Sequence, residues 1–250
     1  MLFKKTELSI GRKINTVIEY LPTMAAVFSI YEYVMNDLDK SEFVYTIMMN
    51  LFLSKVYSSI VQILLFTIIP FIWWLITDKK NISFFKWIGL KKINSVNENK
   101  MSAWIAGATI AFMILGAFNL YMLKDVQLAT SEFSGLGVKA IPAIIVYAAF
   151  NTSMPEEILF RGFLLKRLSN NFGFTISNII QAIVFGLMHG ILLINIGIIK
   201  AILIIIFTGL IGWTMGYINE KKADGSIFPS WMIHATANVF SGICAAFLLI

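Results

Sequence analysis

The sequence has little charge for its length, and it is nearly without cysteine and histidine. Only 14% of its 250 residues are Asp, Glu, Lys or Arg, whereas 58% are hydrophobic. This composition excludes an ordinary soluble domain, in which about a quarter of the residues are charged. The single cysteine, Cys244, excludes an internal disulfide and any metal site built from several cysteines.

The hydrophobic residues form long runs and lack the two-residue alternation of membrane barrel strands. A run of about 20 apolar residues can cross the bilayer as a helix. Because only helices and closed barrels satisfy the backbone in lipid, the sequence predicts an all-α, polytopic helical membrane protein. We expect about seven transmembrane helices, within a range of about six to eight. They lie near residues 17–35, 55–77, 101–123, 138–165, 173–193, 196–218 and 227–250.

The basic residues of the loops predict how the helices are oriented. They cluster in the N-terminal tail, in the 78–100 loop, and at Lys166 and Lys221. Seven alternating spans place these clusters on one side, which the positive-inside rule makes the cytoplasm. We therefore expect a multi-pass protein of the cell membrane with a cytoplasmic N-terminus. The net charge of +6 is scattered among loops, which favours contact with lipid head groups and not with nucleic acid.

No repeat or low-complexity tract divides the chain, so we expect a single membrane domain over residues 1–250. Its first part, 1–137, contains the N-terminal helices and the 78–100 loop, in which aromatic residues interleave with lysines. That pattern predicts an amphipathic segment that lies on cytoplasmic lipid head groups. The second part, 138–250, contains the candidate catalytic residues.

Two adjacent glutamates, Glu156 and Glu157, stand with Arg161 inside the fourth predicted span. Insertion scales put each charged group near the bilayer centre at roughly 2.5–3.5 kcal/mol, so three together indicate chemistry. Glu157 and Arg161 are four residues apart with the acid first, which favours an ion pair on one helix face. We therefore assign this pair to structure and Glu156 to the reaction. The preceding Pro155 predicts a kink or a helix restart, with Ser153 as the capping residue.

Both histidines of the chain fall in predicted spans, His189 in the fifth and His234 in the seventh. Asn238 is one turn after His234, so the two side chains project from the same helix face. Two histidines, an aligned asparagine and the unpaired Glu156 predict one shared site. Glycines at helical spacing in the fifth and sixth spans predict close helix packing, and they are Gly186, Gly190, Gly212 and Gly216.

Three blocks of the sequence resemble the motifs of one family. The blocks are Glu156-Glu-Ile-Leu-Phe-Arg161, Phe185-x-x-x-His189 and His234-x-x-x-Asn238, which are similar to the patterns EExxxR, FxxxH and HxxxN/D. The family is CPBP (CAAX proteases and bacteriocin-processing enzymes, also called Abi), which includes the eukaryotic CAAX prenyl endopeptidase. The resemblance covers the chain from the fourth span onwards, and before it only Trp87-Ile-Gly-Leu-Lys91 is faintly family-like.

The resemblance implies an intramembrane endopeptidase of a kind often labelled a metalloprotease. It implies that Glu156 is a general base that activates water with the help of His189, and that His234 and Asn238 stabilise the oxyanion. Peptide hydrolysis requires a proton acceptor for water and donors where negative charge develops. We favour a reaction without a cofactor. The alternative is a zinc ion held by Glu156, His189 and His234.

The resemblance also implies the partners, which are membrane lipid and a peptide or lipid-modified protein substrate. The substrate classes are a bacteriocin or signalling-peptide precursor, or a CAAX-like tail. Two other functions stay open from the residues themselves. The polar residues also suit a non-catalytic bacteriocin self-immunity or scaffold protein of the membrane. They further suit a proton-coupled transporter, since buried Glu, His and Arg build proton relays, although no repeated halves with broken helices are present.

Overall fold

The computed structural model describes residues 40–93 and 98–249, and their side chains in 44–93 and 100–249. The chain divides into two compact units, residues 1–50 and 51–250. The described part of the first unit is helical. The span predicted at residues 17–35 lies outside the described residues.

All the regular structure in the described residues is helical, and no strand is present there. Helix α1 covers Lys40–Thr77, the short α2 covers Phe84–Trp87, and α3 covers Glu98–Met122. Two 3-10 helices, Ala129–Phe133 and Gly137–Ala140, then lead into the next long helix. Helix α6 covers Ile198–Lys222 and α7 covers Phe228–Ala246.

Between these elements, residues 141–191 form two helices that are separated at Gly173. This glycine has φ 71 and ψ 165, which are not helical angles, and it divides the stretch into α4 (residues 141–172) and α5 (residues 174–191). The same division was expected from the sequence between the fourth and fifth spans. Helix α4 contains two π-helical segments, Tyr147–Ser153 and Ile158–Leu165, on either side of the turn Met154–Glu157.

The predicted helix restart at Pro155 is wrong. Ser153 has helical angles (φ −65, ψ −49), and its side chain makes no capping hydrogen bond. Proline lacks the N–H for an intrahelical bond, and its ring crowds the preceding turn. The π-helical segment before Pro155 is wider than an α-helix and accommodates the ring, so α4 continues. Short π-helical segments are frequent at functional sites, and here they flank Glu156 and Glu157.

Helices α5 and α6 pack closely at glycines, which confirms the packing predicted from their spacing. A Cβ at Gly186 would overlap with the main-chain oxygen of Ile205, and a Cβ at Gly216 would overlap with the side chain of Asn178. Asn178 itself donates from Nδ2 to the carbonyl of Trp213 at 2.9 Å. The small residues therefore bring the two backbones close enough for side chains of α5 to bind main-chain groups of α6.

Four stretches are long and apolar enough, by length and composition, to cross a membrane. They are Val44–Thr77, Lys100–Met122, Gly137–Ile191 and Ile198–Lys222. The all-α, polytopic membrane class is thus confirmed, whereas the count of seven is not. One of the four stretches contains both α4 and α5, and α7 is not among them because its Ser, His and Asn residues lower its hydropathy.

The middle of the 78–93 connection packs against the protein, whereas the contact of its exposed residues with lipid head groups stays a prediction. Trp87 and Ile88 are buried. A Cβ at Gly162 of α4 would lie only 2.7 Å from the carbonyl oxygen of Ile88, so the connection contacts the α4 backbone. Gly89 turns the chain at φ +82, a left-handed conformation that glycine adopts readily.

Three connections meet at this end of the molecule. The N–H of Ile227 donates to the carbonyl of Gly89 at 2.9 Å, next to an ion pair of Lys91 with Asp224 at 3.0 Å. Another ion pair joins Lys166 Nζ to Glu220 Oε1 at 2.5 Å. The structure therefore places the basic residues of the connection after α1, of the last part of α4 and of the end of α6 at the same end, which is what the loop charges predict.

Candidate active site

The two glutamates of α4 have different surroundings. Glu157 is fully buried, and its Oε1 lies 3.0 Å from Nη1 of Arg161 and 3.0 Å from Nδ1 of His234. The ion pair with Arg161 that was expected from the four-residue spacing is present. The contact with His234 was not expected, and it joins α4 to α7 through one carboxylate.

Arg161 is also fully buried, and the protein surrounds its guanidinium with aromatic rings. The guanidinium carbon lies 4.2 Å from the ring centre of Phe185 and 5.9 Å from that of Phe160. Its Nε and Nη2 have no hydrogen-bond partner, and a Cβ at Gly212 would come within 3.2 Å of Nη2. A cation over an aromatic face is stabilised electrostatically, most strongly where water is excluded. Gly212 thus provides the space that this arrangement needs.

Glu156 faces both histidines. Its Oε2 lies 3.8 Å from Nε2 of His189 and 3.9 Å from Nε2 of His234. The Glu156 side chain is 21% exposed, against 0% for Glu157, although the Oε2 that faces the histidines is buried and has no hydrogen-bond partner. The structure therefore brings together three of the predicted catalytic residues from α4, α5 and α7.

Hydrogen bonds at the far ring nitrogens set the tautomers of both histidines. Nδ1 of His189 lies 2.8 Å from the carbonyl oxygen of Phe185, which can only accept, so Nδ1 carries a proton. Nδ1 of His234 lies 3.0 Å from the carboxylate of Glu157, and the ionised carboxylate again only accepts. When either ring is neutral, its Nε2 is thus a bare acceptor turned towards Glu156. Such fixed rings are typical of histidines that transfer protons.

Asn238 lies on α7 one turn after His234, but its amide contacts α4. Its Nδ2 donates to Thr152 Oγ1 at 2.9 Å and lies 3.3 Å from Ser153 Oγ. The amide also lines the cavity that His189 and His234 line. Asn238 therefore holds α7 against the π-helical segment of α4 and faces the same space as the histidines.

The charges of the site leave a single proton to be shared. Glu156 and Glu157 are two carboxylates, and Arg161 is the guanidinium among them. When both carboxylates are ionised, one negative charge is left over, and one proton on Glu156, His189 or His234 neutralises it. A proton taken up by any of these three groups would therefore balance the formal charge of the site. Such a set of groups can take a proton from water and deliver it elsewhere.

The family resemblance raised zinc as an alternative, and the geometry argues against it. Ligands at about 2.0–2.1 Å from a tetrahedral zinc are about 3.4 Å apart. The Oε2 to Nε2 separations of 3.8 and 3.9 Å are wider than this. Among the residues that the structure describes, no group of three His, Cys, Asp or Glu is arranged to hold a metal ion. In the described arrangement these atoms lie farther apart than the ligands of a tetrahedral zinc ion, and we derive no step through a metal.

Phe185 is a residue whose part in the site was not predicted from the sequence. Its ring centre lies 4.5 Å from that of His189 and 6.1 Å from that of His234, in addition to its contact with Arg161. Its spacing of four residues from His189 was the available signal, because side chains at that spacing touch on a helix. No such signal pointed to Thr152 or Ser153.

Comparison with protein families gives one match. Residues 138–240 match the family described as "Type II CAAX prenyl endopeptidase Rce1-like". Comparisons with curated proteins and with solved structures find no match. The matched segment contains the two glutamates, both histidines and Asn238, together with the helices that bring them into contact. The predicted resemblance to the CPBP family of CAAX-type proteases is therefore confirmed over residues 138–240, about two fifths of the chain.

Proposed function

We propose that the protein is an intramembrane endopeptidase in which Glu156 activates the water that cleaves a peptide bond. The observation that carries this proposal is the position of Glu156 Oε2, 3.8 and 3.9 Å from the Nε2 atoms of His189 and His234. These separations are too long for direct hydrogen bonds. A water oxygen about 2.8 Å from two such atoms fits between them at an angle of roughly 90°.

The proposed reaction begins with proton transfer from this water to Glu156. As the water O–H bond breaks, the water oxygen bonds to the peptide carbonyl carbon, and the carbonyl oxygen becomes an oxyanion. The proton on Glu156 then passes to the leaving nitrogen, the C–N bond breaks, and a carboxylic acid and an amine are formed. His189 supports the base, because its bare Nε2 can accept a hydrogen bond from the same water.

The proposed oxyanion donors are His234 and Asn238. Since Glu157 keeps a proton on Nδ1 of His234, the Nε2 atom can donate only when the ring is an imidazolium. That protonation state also neutralises the site, with Glu156 ionised and ready to act as the base. Asn238 contributes a second donor if its amide turns from Thr152 or Ser153 towards the cavity. Donors fixed in a buried site stabilise an oxyanion more strongly than water does.

The proposed substrate is a membrane-associated peptide or a lipid-modified protein. A CAAX-like tail is one class, because the matched family is described as a CAAX prenyl endopeptidase. A bacteriocin or signalling-peptide precursor is the other. Both classes reach the site beside membrane lipid, since α3, α4, α5 and α6 all lie in stretches apolar enough to span the bilayer.

The test compares membrane peptides by mass spectrometry in cells that express wild type, Glu156→Gln or Glu220→Gln. Glutamine keeps the shape of Glu156 but is no base, so cleavage should fall by on the order of 10²–10⁴-fold. Glu220 pairs with Lys166 at the end of the molecule where the connections meet and contacts none of the candidate catalytic residues, so Glu220→Gln should cleave like wild type. Peptides that are cleaved equally in Glu156→Gln would refute the assignment of the base.

Chelation tests the proposal that no cofactor takes part. Cleavage by purified protein should be the same before and after dialysis against a strong zinc chelator. Loss of cleavage with recovery on added zinc would replace this mechanism with the metal alternative. If the Glu156→Gln variant confers bacteriocin immunity as well as wild type does, and no cleaved peptide is found, the non-catalytic alternative is favoured.

A further inference from the structure

A cavity of about 190 Å³ opens beside the two histidines. His189, His234 and Asn238 line it, and α3 lines it with Phe112, Gly116 and Asn119. Helix α3 precedes residue 138, so this wall lies outside the segment that matches the family. The cavity therefore combines the candidate catalytic residues with a wall that belongs to this chain's own N-terminal part.

Asn119 is a polar residue of this cavity, outside the candidate catalytic set, whose acceptor is not used. Its Oδ1 is buried and accepts no hydrogen bond. Two further polar residues of the lining, Thr208 and Ser241, donate to main-chain carbonyls of their own helices, those of Ile204 and Ala237. A buried acceptor without a partner is unfavourable, so a ligand that brings an N–H group to Asn119 gains affinity.

The size and polarity of the cavity limit what it can hold. A cavity of about 150 Å³ binds one benzene molecule, and pockets for drug-sized ligands have about 300–1,000 Å³. A cavity of about 190 Å³ therefore accepts one aliphatic or small aromatic side chain. A hydrocarbon chain alone would leave Asn119 Oδ1 unpaired, whereas a peptide residue supplies both an apolar side chain and a main-chain N–H.

We infer that this cavity is the pocket for one apolar side chain of the substrate peptide beside the cleaved bond, with Asn119 Oδ1 accepting that residue's main-chain N–H. This inference rests on the proposed peptidase function and adds a residue that binds the substrate main chain. Asn119 is thus a substrate-binding residue, and the side chains of α3 that line the pocket determine which substrate side chains fit.

Gly116 allows the pocket to be probed without disturbing the helix packing. A Cβ at Gly116 would meet no atom within 4 Å, so a side chain there extends into open space. Gly107 lies on the same helix and also has open space at its Cβ, but it lines a different pocket with Trp104 and Thr214. The same substitution at Gly107 is therefore a matched control.

The binding test uses Gly116→Cys and Gly107→Cys in a Cys244→Ala background, with the full chain in detergent. The alkylation rate by a maleimide is measured with increasing N-acetyl-leucinamide, N-acetyl-tryptophanamide or farnesol. We expect N-acetyl-leucinamide to slow alkylation at Gly116→Cys but not at Gly107→Cys. Adding Asn119→Leu, which keeps the size but removes the acceptor, should raise the protecting concentration about tenfold. Tryptophanamide should protect less because its ring exceeds the cavity.

Three results would overturn the inference. They are equal protection at both cysteines, no protection at Gly116→Cys, and protection by farnesol that exceeds that by N-acetyl-leucinamide and is unaffected by Asn119→Leu. Because alkylation does not require turnover, these results are separate from the fate of Glu156→Gln. If binding is found but no peptide is cleaved, the peptidase proposal fails and the pocket stands.

A cleavage assay then tests the position of the pocket relative to the reacting bond. Peptides that differ only in one apolar side chain are compared in wild type, Gly116→Val and Gly107→Val. Valine at Gly116 should lower kcat/KM for the leucine peptide by about 10–200-fold and leave the alanine peptide nearly unchanged. An unaltered preference in Gly116→Val, or the same shift in Gly107→Val, would contradict the assignment.

Discussion

Glu157 contacts two partners at once, and this makes it more than the neutralised half of an ion pair. Its Oε1 binds Arg161 along α4 and His234 on α7, each at 3.0 Å. The carboxylate therefore determines which nitrogen of His234 carries the proton. Glu156 faces both histidines, and it depends on Glu157 to orient one of them.

At the residue scale, Glu157→Gln should act through the tautomer of His234. In wild type, Nδ1 of His234 donates to the ionised carboxylate. The amide of glutamine can instead donate to Nδ1, and the ring proton then moves to Nε2. Replacing the acid that orients a catalytic histidine costs on the order of 10⁴ in kcat in serine proteases, and we expect about 10²–10⁴ here. The loss should appear in kcat and change the pH profile, with helical circular dichroism retained. Wild-type kcat in a folded variant would show that Glu157 serves structure only.

The element that positions the site is α4 with its two π-helical segments. These segments flank Pro155 and the glutamates, and the first also carries Thr152 and Ser153, which bind Asn238. Helix α5 supplies His189 and packs against α6 through glycines. The position of His189 relative to Glu156 thus depends on how closely α5 approaches α6.

At the element scale, Gly186→Ala should loosen the contact between α5 and α6. The new methyl group would overlap with the Ile205 carbonyl, a main-chain group that cannot turn away, and such overpacking costs about 1–3 kcal/mol. Gly107→Ala on α3 is the control, because its methyl group meets nothing within 4 Å. That change should stabilise by about 0.5–1 kcal/mol, as alanine does in helix interiors. Thermal unfolding followed by tryptophan fluorescence should show opposite shifts, and shifts of the same sign would contradict the packing.

For the whole molecule, the end where the connections meet is held by polar contacts outside the membrane stretches. Asp78, just after α1, accepts a hydrogen bond from the Trp87 indole at 2.7 Å and from the Thr77 hydroxyl at 2.9 Å. Arg167 of α4 lies 3.7 Å away. These contacts join the end of α1 to α2 and α4, so they hold α2 and its buried Trp87 in place.

The pH dependence of the melting temperature should reveal how much the Asp78 carboxylate stabilises the folded state. The Trp87 and Thr77 hydrogen bonds hold its pKa below the usual value of 3.8. A carboxylate with a lowered pKa stabilises the folded state at neutral pH, and this contribution is lost as the pH falls through the lowered value. The difference in Tm between wild type and Asp78→Asn should therefore shrink as the pH falls from about 6 towards about 3. A difference that does not vary with pH would contradict this.

Orientation in the membrane is the second prediction for the whole molecule. The basic connections lie at one end, and Val138, in the 3-10 helix before α4, lies across the α3 span from them, with 68% of its surface exposed. The positive-inside rule places the basic end in the cytoplasm. In whole cells, an impermeant maleimide should label Val138→Cys but label Lys86→Cys only after permeabilisation, both in a Cys244→Ala background. The reverse pattern would invert the proposed topology.

Much of the helix pattern, and some of the contacts in the site, can be predicted from the sequence. The apolar runs predict the all-helical membrane class, because lipid demands a satisfied backbone in every span. The four-residue spacings predict the Glu157–Arg161 contact and the common face of His234 and Asn238, because they follow from the helix repeat. The glycine spacing likewise predicts where α5 and α6 meet. Each of these predictions follows from local helix geometry and requires no information about residues far away in the sequence.

Contacts between distant parts of the chain were decided only by the folded arrangement. The bond from Glu157 to His234, the burial of Trp87 and Ile88 against α4, and the wall that α3 gives the cavity all join residues far apart in sequence. Periodicity says which face of a helix is polar, but not which other helix it meets. For the same reason Pro155 was expected to restart its helix, and the π-helical segment that accommodates it became evident only in the packed structure.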